Sequence, residues 1–142
     1  MITYVDTSTL LKLVIDEEGS DRAELVWEAA DTLASVSLIV VEARAALAAA
    51  TRCGRLARDQ HGQAKAELAA LLGDLHIAEV TDDLIIQAAD LAEDEGLRGY
   101  DAVHLASALY LEASILTSAD TALCEAAVRN GLHIANPLLD WS

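Results

Sequence analysis

Five short β-branched or apolar runs, each too short for an independent helix, recur between longer stretches of helical periodicity. The runs are ITYV at 2–5, TLASV at 32–36, HIAEV at 76–80, ASIL at 113–116 and HIA at 133–135. The periodic stretches fall at 8–17, 21–30, 38–52, 56–72, 82–95, 101–112 and 120–130. Strands separated by helices rather than hairpin turns imply parallel pairing through crossovers, hence a sheet covered on both faces. The expected fold is therefore α/β: a three-layer α/β/α sandwich around a central parallel sheet of about five strands. Ligands of such open sheets bind outside the carboxyl ends of the strands, which directs attention to Asp6, Ser37, Thr81, Thr117 and their neighbours.

Composition bounds the rest. A chain of 142 residues, 54% of them hydrophobic, buries roughly 68–70% of its unfolded surface, and 1–142 reads as one domain. Charges interrupt every apolar stretch, as Glu42 and Arg44 do within SLIVVEARAALAAA, so no membrane span is expected. No basic leader or small-residue cleavage site follows Met1, and the chain reads as cytoplasmic. Cys53 and Cys124 lack metal-ligand spacing and read as packing residues. A net charge of −15 argues against nucleic acid as a partner, since phosphate contacts rely on Lys and Arg. The distribution weakens that objection: Arg44, Arg52, Arg55, Arg58 and Lys65 lie together with a single acid, Asp59, among them. Arg52, Arg55, Arg58 and Lys65 are candidates for contact with RNA or a partner protein.

Four carboxylates need explaining. Asp6 directly follows the first strand, where an Asx turn or helix cap is the ordinary role. Glu42, on a helix starting near Ser37, shares a face with Leu38, Ala45, Ala46 and Ala49, which reads as the core stripe. A glutamate there needs a partner charge or a metal. Asp101 opens a helix after a Gly99-Tyr100 turn, and Asp120 opens another after Ser118-Ala119. Alone, each suits the positive end of a helix macrodipole. Together, all four can be brought to one sheet edge. Two carboxylates about 5 Å apart repel by roughly 3 kcal/mol at an effective dielectric near 20, so four need a counter-charge. A divalent cation supplies it, and hard oxygen ligands favour Mg²⁺ or Mn²⁺. Activation of water for phosphodiester hydrolysis is the usual use of such a site.

The ordered segments YVDTSTLLKL, SLIVVEARAAL, LRGYDAVHLASAL and LTSADTAL resemble the four acidic blocks of PIN-domain ribonucleases, most closely the VapC-type toxins of bacterial toxin-antitoxin pairs. The resemblance implies that Asp6, Glu42, Asp101 and Asp120 are the catalytic, metal-binding acids. It implies supporting roles for Ser8 and Ser118, although both also suit helix caps and Thr117 offers a second hydroxyl before Asp120. It further implies a Mg²⁺- or Mn²⁺-dependent endoribonuclease acting on single-stranded RNA, a cognate antitoxin protein as partner, and a homodimer. His104, three residues after Asp101, is read as a structural hydrogen-bonding residue rather than a general base. Tyr100 and Trp141 could stack on bases, but an aromatic content of 4% offers no stacking platform.

Two other folds that place acids at a parallel sheet edge are excluded by single residues. A receiver domain needs an acidic pair after the first strand and a late lysine, but position 7 is Thr and no lysine follows Lys65. A haloacid-dehalogenase-type phosphatase needs a second Asp where Ser8 stands. The remaining alternatives are a PIN-like RNA-processing nuclease without an antitoxin and a catalytically inactive PIN-like binding module.

Overall fold

The computed structural model describes residues 1–139, and Trp141 lies outside them. The elements run β1 (Ile2–Val5), α1 (Thr7–Leu11), α2 (Ser20–Ala29), β2 (Thr32–Val36), α3 (Leu38–Arg52), α4 (Arg58–Asp74), β3 (His76–Ala78), α5 (Asp82–Glu95), α6 (Gly99–Tyr110), β4 (Ile115–Thr117), α7 (Thr121–Arg129) and β5 (His133–Ala135). This is the alternation read from the sequence. The five strands form one sheet in the order β3-β2-β1-β4-β5, and every neighbouring pair is parallel.

Alternation along β1 divides the core. Tyr4 packs with Leu84, Leu105, Leu116 and Leu123, beneath α5, α6 and α7. Val5 faces the other way, onto Leu10, Ile39, Leu47 and Leu68 of α1, α3 and α4. Each fully buried leucine of this kind contributes roughly 1.5–3 kcal/mol relative to an exposed one. Three layers result. From β1 the chain steps outward to β2 and β3, then crosses back to place β4 on the other side of β1. The strand order thus reverses between β1 and β4, and the crevice expected at such a switch point lies beside Asp6 and Ser118.

The structure corrects several local expectations. The helix expected over 8–17 stops at Leu11, and Lys12 to Ile15 continue in tighter turns, with Lys12, Leu13 and Val14 each donating to the carbonyl three residues back. That bend buries Ile15 and brings the Lys12 amine onto Glu17 at 3.0 Å. Gly19 then adopts φ 89°, and a Cβ there would stand 2.8 Å from the Pro137 carbonyl oxygen, so only glycine lets the two segments pass. Gly99 and Tyr100 form the first turn of α6 rather than a loop before it, because the extended residue Arg98 is the N-cap. The fourth strand sits at 115–117, displaced towards Ser118, with the left-handed Glu112 (φ 55°) ending the preceding turn. Cys53 is an exposed helix C-cap, not a packing residue, whereas Cys124 is buried. Among the described residues no helix is long and apolar enough to cross a membrane.

Candidate active site

Asp6 occupies the N-cap position of α1, yet its carboxylate makes no capping bond. Its Oδ2 instead accepts from Ser8 Oγ and from Ser118 Oγ, each at 2.7 Å. The side chain is thereby aimed across the β1/β4 crevice, with only 5% of the residue exposed. Ser118 is the supporting hydroxyl of its pair; Thr117 turns to the opposite face, donating to the Ala135 carbonyl and meeting Thr9 Oγ1 at 3.0 Å. Neither serine is a helix cap. The backbone N–H of Ala119 donates to Ser8 and that of Asp120 to Ser118, which ties the loop after β4 to the loop after β1.

Glu42 reaches the site for a different reason from the one its neighbours suggest. The buried stripe of α3 is Ile39, Ala43, Leu47 and Ala50, while Ala45 and Ala49 are exposed, so Glu42 stands on the rim of the stripe with Leu38 and Ala46. Its Oε1 accepts from Thr7 Oγ1 at 2.8 Å and from His104 Nε2 at 2.5 Å. His104, 1% exposed, shares a second hydrogen bond of 2.7 Å between its Nδ1 and the Tyr4 hydroxyl, and its Nε2 lies 3.5 Å from Asp6 Oδ1. The residue does have the expected structural bond. It also holds a carboxylate of the site.

These contacts set the ionisation. Burial opposes the charged form of Glu42, but the hydrogen bond and charge of His104, with the Thr7 hydroxyl, outweigh it and hold the carboxyl below its usual range. Burial equally opposes the charged form of His104, and the bond to Glu42 with the nearby Asp6 and Asp101 charges overcomes it, raising the imidazole above its ordinary value. Burial raises Asp101; Arg98 counteracts this, and the neighbouring Asp120 adds to it.

Asp101 stands in the first turn of α6 and Asp120 at the N-cap of α7, where its Oδ1 accepts from the Leu123 N–H at 2.9 Å. The macrodipole role suggested by sequence is therefore real for both, but it does not exhaust them. Arg98 donates from Nε to Asp101 Oδ2 and from Nη2 to Asp120 Oδ2, both at 3.0 Å. Sequence reasoning passed over this arginine. Its spacing of three from Asp101 was the available signal, since a cluster of acids needs a cation.

The four acids therefore meet at one sheet edge in two pairs: Asp6 with Glu42 around His104, and Asp101 with Asp120 around Arg98. Glu42, Arg98, Gly99, Tyr100 and Asp101 line a cleft of about 440 Å³, with Tyr100 67% exposed at its margin. The donor set, four carboxylates and two hydroxyls, suits a hard divalent ion. As their partners hold them, no three His, Cys, Asp or Glu side chains among the described residues are grouped to grip one ion. The basic segment lies elsewhere. Arg52 ends α3, ten residues and about 15 Å along the axis from Glu42. Arg55 pairs at 3.5 Å with Glu17, which also holds Lys12, and Arg58 and Lys65 are exposed on α4.

A parallel five-stranded sandwich carrying four acids at its switch point defines a class, and the sequence agrees: residues 3–129 match the PIN domain family, to which the chain belongs. In sequence it is similar to a protein named Ribonuclease VapC45 of Mycobacterium tuberculosis, with 38% identity over 108 residues covering 76% of this chain and 75% of that one. Among solved structures, PAE2754 from Pyrobaculum aerophilum superimposes with a TM-score of 0.71 at 23% identity, covering 94% of this chain and 92% of that one. A toxin-antitoxin complex from Klebsiella pneumoniae gives 0.68 at 18% identity, covering 95% and 97%. At these identities the two structures speak for the fold.

Proposed function

We propose that the chain is a metal-dependent endoribonuclease that cleaves single-stranded RNA and acts as the toxin of a toxin-antitoxin pair. The observation that carries this reading is the meeting of Asp6, Glu42, Asp101 and Asp120, from four separate elements, at the carboxyl edge of the sheet. The similarity to a protein named as a VapC ribonuclease over three quarters of both chains supports the activity. When bound there, Mg²⁺ or Mn²⁺ would supply a Lewis acid for a phosphoryl oxygen and lower the pKa of an attacking water.

The chain's own residues do the positioning. Ser8 and Ser118 fix the Asp6 rotamer, and Thr7 and His104 fix that of Glu42, so two carboxylates are oriented before any ligand arrives. Asp120 is anchored through both oxygens, Oδ1 by its cap bond from the Leu123 N–H and Oδ2 by Arg98. The cleft is bordered by the exposed Tyr100, on the side from which a substrate strand would approach the acids.

The strongly acidic pocket favours a partner that presents a basic side chain, and a complex in the fold family is itself a toxin with its antitoxin. We assign Arg52, Arg55, Arg58 and Lys65 to such a partner rather than to RNA at the acids, given their distance from the site. The test is cleavage of a 5′-labelled single-stranded RNA by the purified protein. Internal cuts that appear with Mg²⁺ or Mn²⁺, vanish in excess EDTA and vanish in Asp6→Asn are expected. Undiminished cleavage in EDTA would refute the metal mechanism.

A further inference from the structure

We propose that Arg98 is a tethered counter-cation of the carboxylate site, exchanged for the divalent ion when that ion binds, so that this one side chain sets the site's metal affinity. The inference rests on the metal-dependent reading above.

The geometry is that of a clamp on the outer pair of acids. Arg98 Nε and Nη2 each meet a different aspartate at 3.0 Å, one in the first turn of α6 and one at the N-cap of α7, so the planar guanidinium bridges the two with one charge-assisted hydrogen bond to each. Among the described residues it is the only Lys or Arg side chain that bonds to any of the four acids. Its own side chain is 79% exposed, against 14% for Asp101 and 27% for Asp120, so the cation covers the carboxylates from the solvent side.

That exposure decides which counter-cation can leave. His104 is buried and bonded on both ring nitrogens, so it stays. Arg98 is bonded only to the two acids, on an extended N-cap residue whose backbone keeps α6 in place whether or not the side chain moves. An exposed ion pair of this kind holds weakly and is screened by salt. While the guanidinium is in place both oxygens of Asp120 are engaged, Oδ2 by Arg98 and Oδ1 by the Leu123 N–H, and Asp101 offers only Oδ1, so the pair presents a shared ion with fewer donors than its four oxygens. Among the described residues no three-ligand group stands ready-made. Removing the clamp leaves two adjacent acids whose repulsion a divalent ion relieves.

The experiment titrates MnCl₂ into the full chain at fixed low ionic strength, comparing wild type with Arg98→Gln, Arg98→Lys and Arg44→Gln by calorimetry. Arg44 is exposed on α3 two residues after Glu42, and its variant reports the loss of one charge without the clamp. The Mn²⁺ Kd is expected to tighten roughly three- to tenfold in Arg98→Gln, to fall between the two in Arg98→Lys, whose point charge cannot fork, and to change less than twofold in Arg44→Gln. Independently, the Arg98 Nε–H signal in nuclear magnetic resonance, assigned by its loss in Arg98→Gln, is expected to be protected without metal and to lose that protection at saturating Mg²⁺. A Kd in Arg98→Gln within twofold of wild type, or an equal gain in Arg44→Gln, overturns the exchange while leaving the metal site standing. An Nε–H signal indifferent to saturating Mg²⁺ does the same. Absence of Mn²⁺ binding in the wild type overturns the metal reading and the exchange with it.

Discussion

Glu42→Gln in metal-free buffer separates a paired carboxylate from a merely crowded one. If repulsion dominated the empty site, removing an acid would stabilise the fold. The structure predicts the opposite near pH 6, because Glu42 is bonded to a buried imidazole. Gln keeps an oxygen to accept from His104 Nε2 and Thr7 Oγ1, so the loss is the charge assistance, about 1–2 kcal/mol of the 1.5–3 typical of a hydrogen bond to a charged group. At about 2–4 °C per kcal/mol for a domain of this size, the melting temperature should fall by roughly 2–8 °C.

The pH dependence carries the sign. His104 has its folded pKa raised, so its contribution is complete below about 6.5 and is lost as pH rises through the folded value. Glu42 has its folded pKa lowered, so its contribution is complete above about 4.5 and is lost as pH falls through the folded value. The two windows overlap between about pH 4.5 and 6.5. Thermal unfolding followed by circular dichroism in EDTA should therefore show the largest deficit of Glu42→Gln near pH 5.5. The deficit should shrink towards both pH 3 and pH 9. A variant as stable as wild type at pH 5.5, or a deficit still growing at pH 9, would refute the pairing.

Further outcomes follow from the same contacts. Asp6→Asn should retain the wild-type circular dichroism spectrum while losing more than the roughly 10–100-fold in RNA cleavage typical of a supporting residue; near-wild-type turnover would remove Asp6 from the site. Tyr4→Phe leaves the buried His104 Nδ1 without its partner and should cost about 1–3 kcal/mol in urea unfolding, and a neutral effect would show that bond to be unimportant. The triple variant Arg52→Ala, Arg55→Ala, Arg58→Ala should keep its cleavage rate and, in an Asp101→Asn background, an unchanged salt slope of RNA binding. A slope flattened by about 0.7 log unit per lost contact would instead place those arginines on RNA phosphates.

The layering, the parallel pairing and the order of elements were legible in the periodicity of the chain, because a buried strand and an amphipathic helix leave different hydrophobic repeats. Boundaries moved where tertiary contacts decide them. Lys12 to Ile15 continue the helical pattern of α1 in sequence, but they leave the helix in a bend that the Lys12 bond to Glu17 spans and that precedes the close passage of Gly19 by Pro137. Position after a strand draws attention to Asp6 and Asp120, but alone suits a cap or macrodipole role; their convergence with Glu42 and Asp101 and the resemblance to the PIN family make them site acids. Glu42 was found through a mistaken stripe: its neighbours in sequence suggest burial by Ala45 and Ala49, whereas its actual partners, Thr7 and His104, lie 35 and 62 positions away. Arg98 shows where sequence reading ended. Its pairing with Asp101 is local and readable, but its bond to Asp120 spans 22 positions and exists only because α6 and α7 start at the same edge.

The claim on which everything else depends is that the four acids form one metal site. Anomalous diffraction at the manganese edge from crystals soaked in MnCl₂ tests it without reference to activity. A peak is expected at the carboxyl edge of the sheet about 2.1 Å from oxygens of Asp6 and of at least one of Asp101 and Asp120, with the Arg98 side chain withdrawn from both aspartates. A saturating soak that leaves no peak there, with Arg98 still bridging Asp101 and Asp120, would contradict the claim.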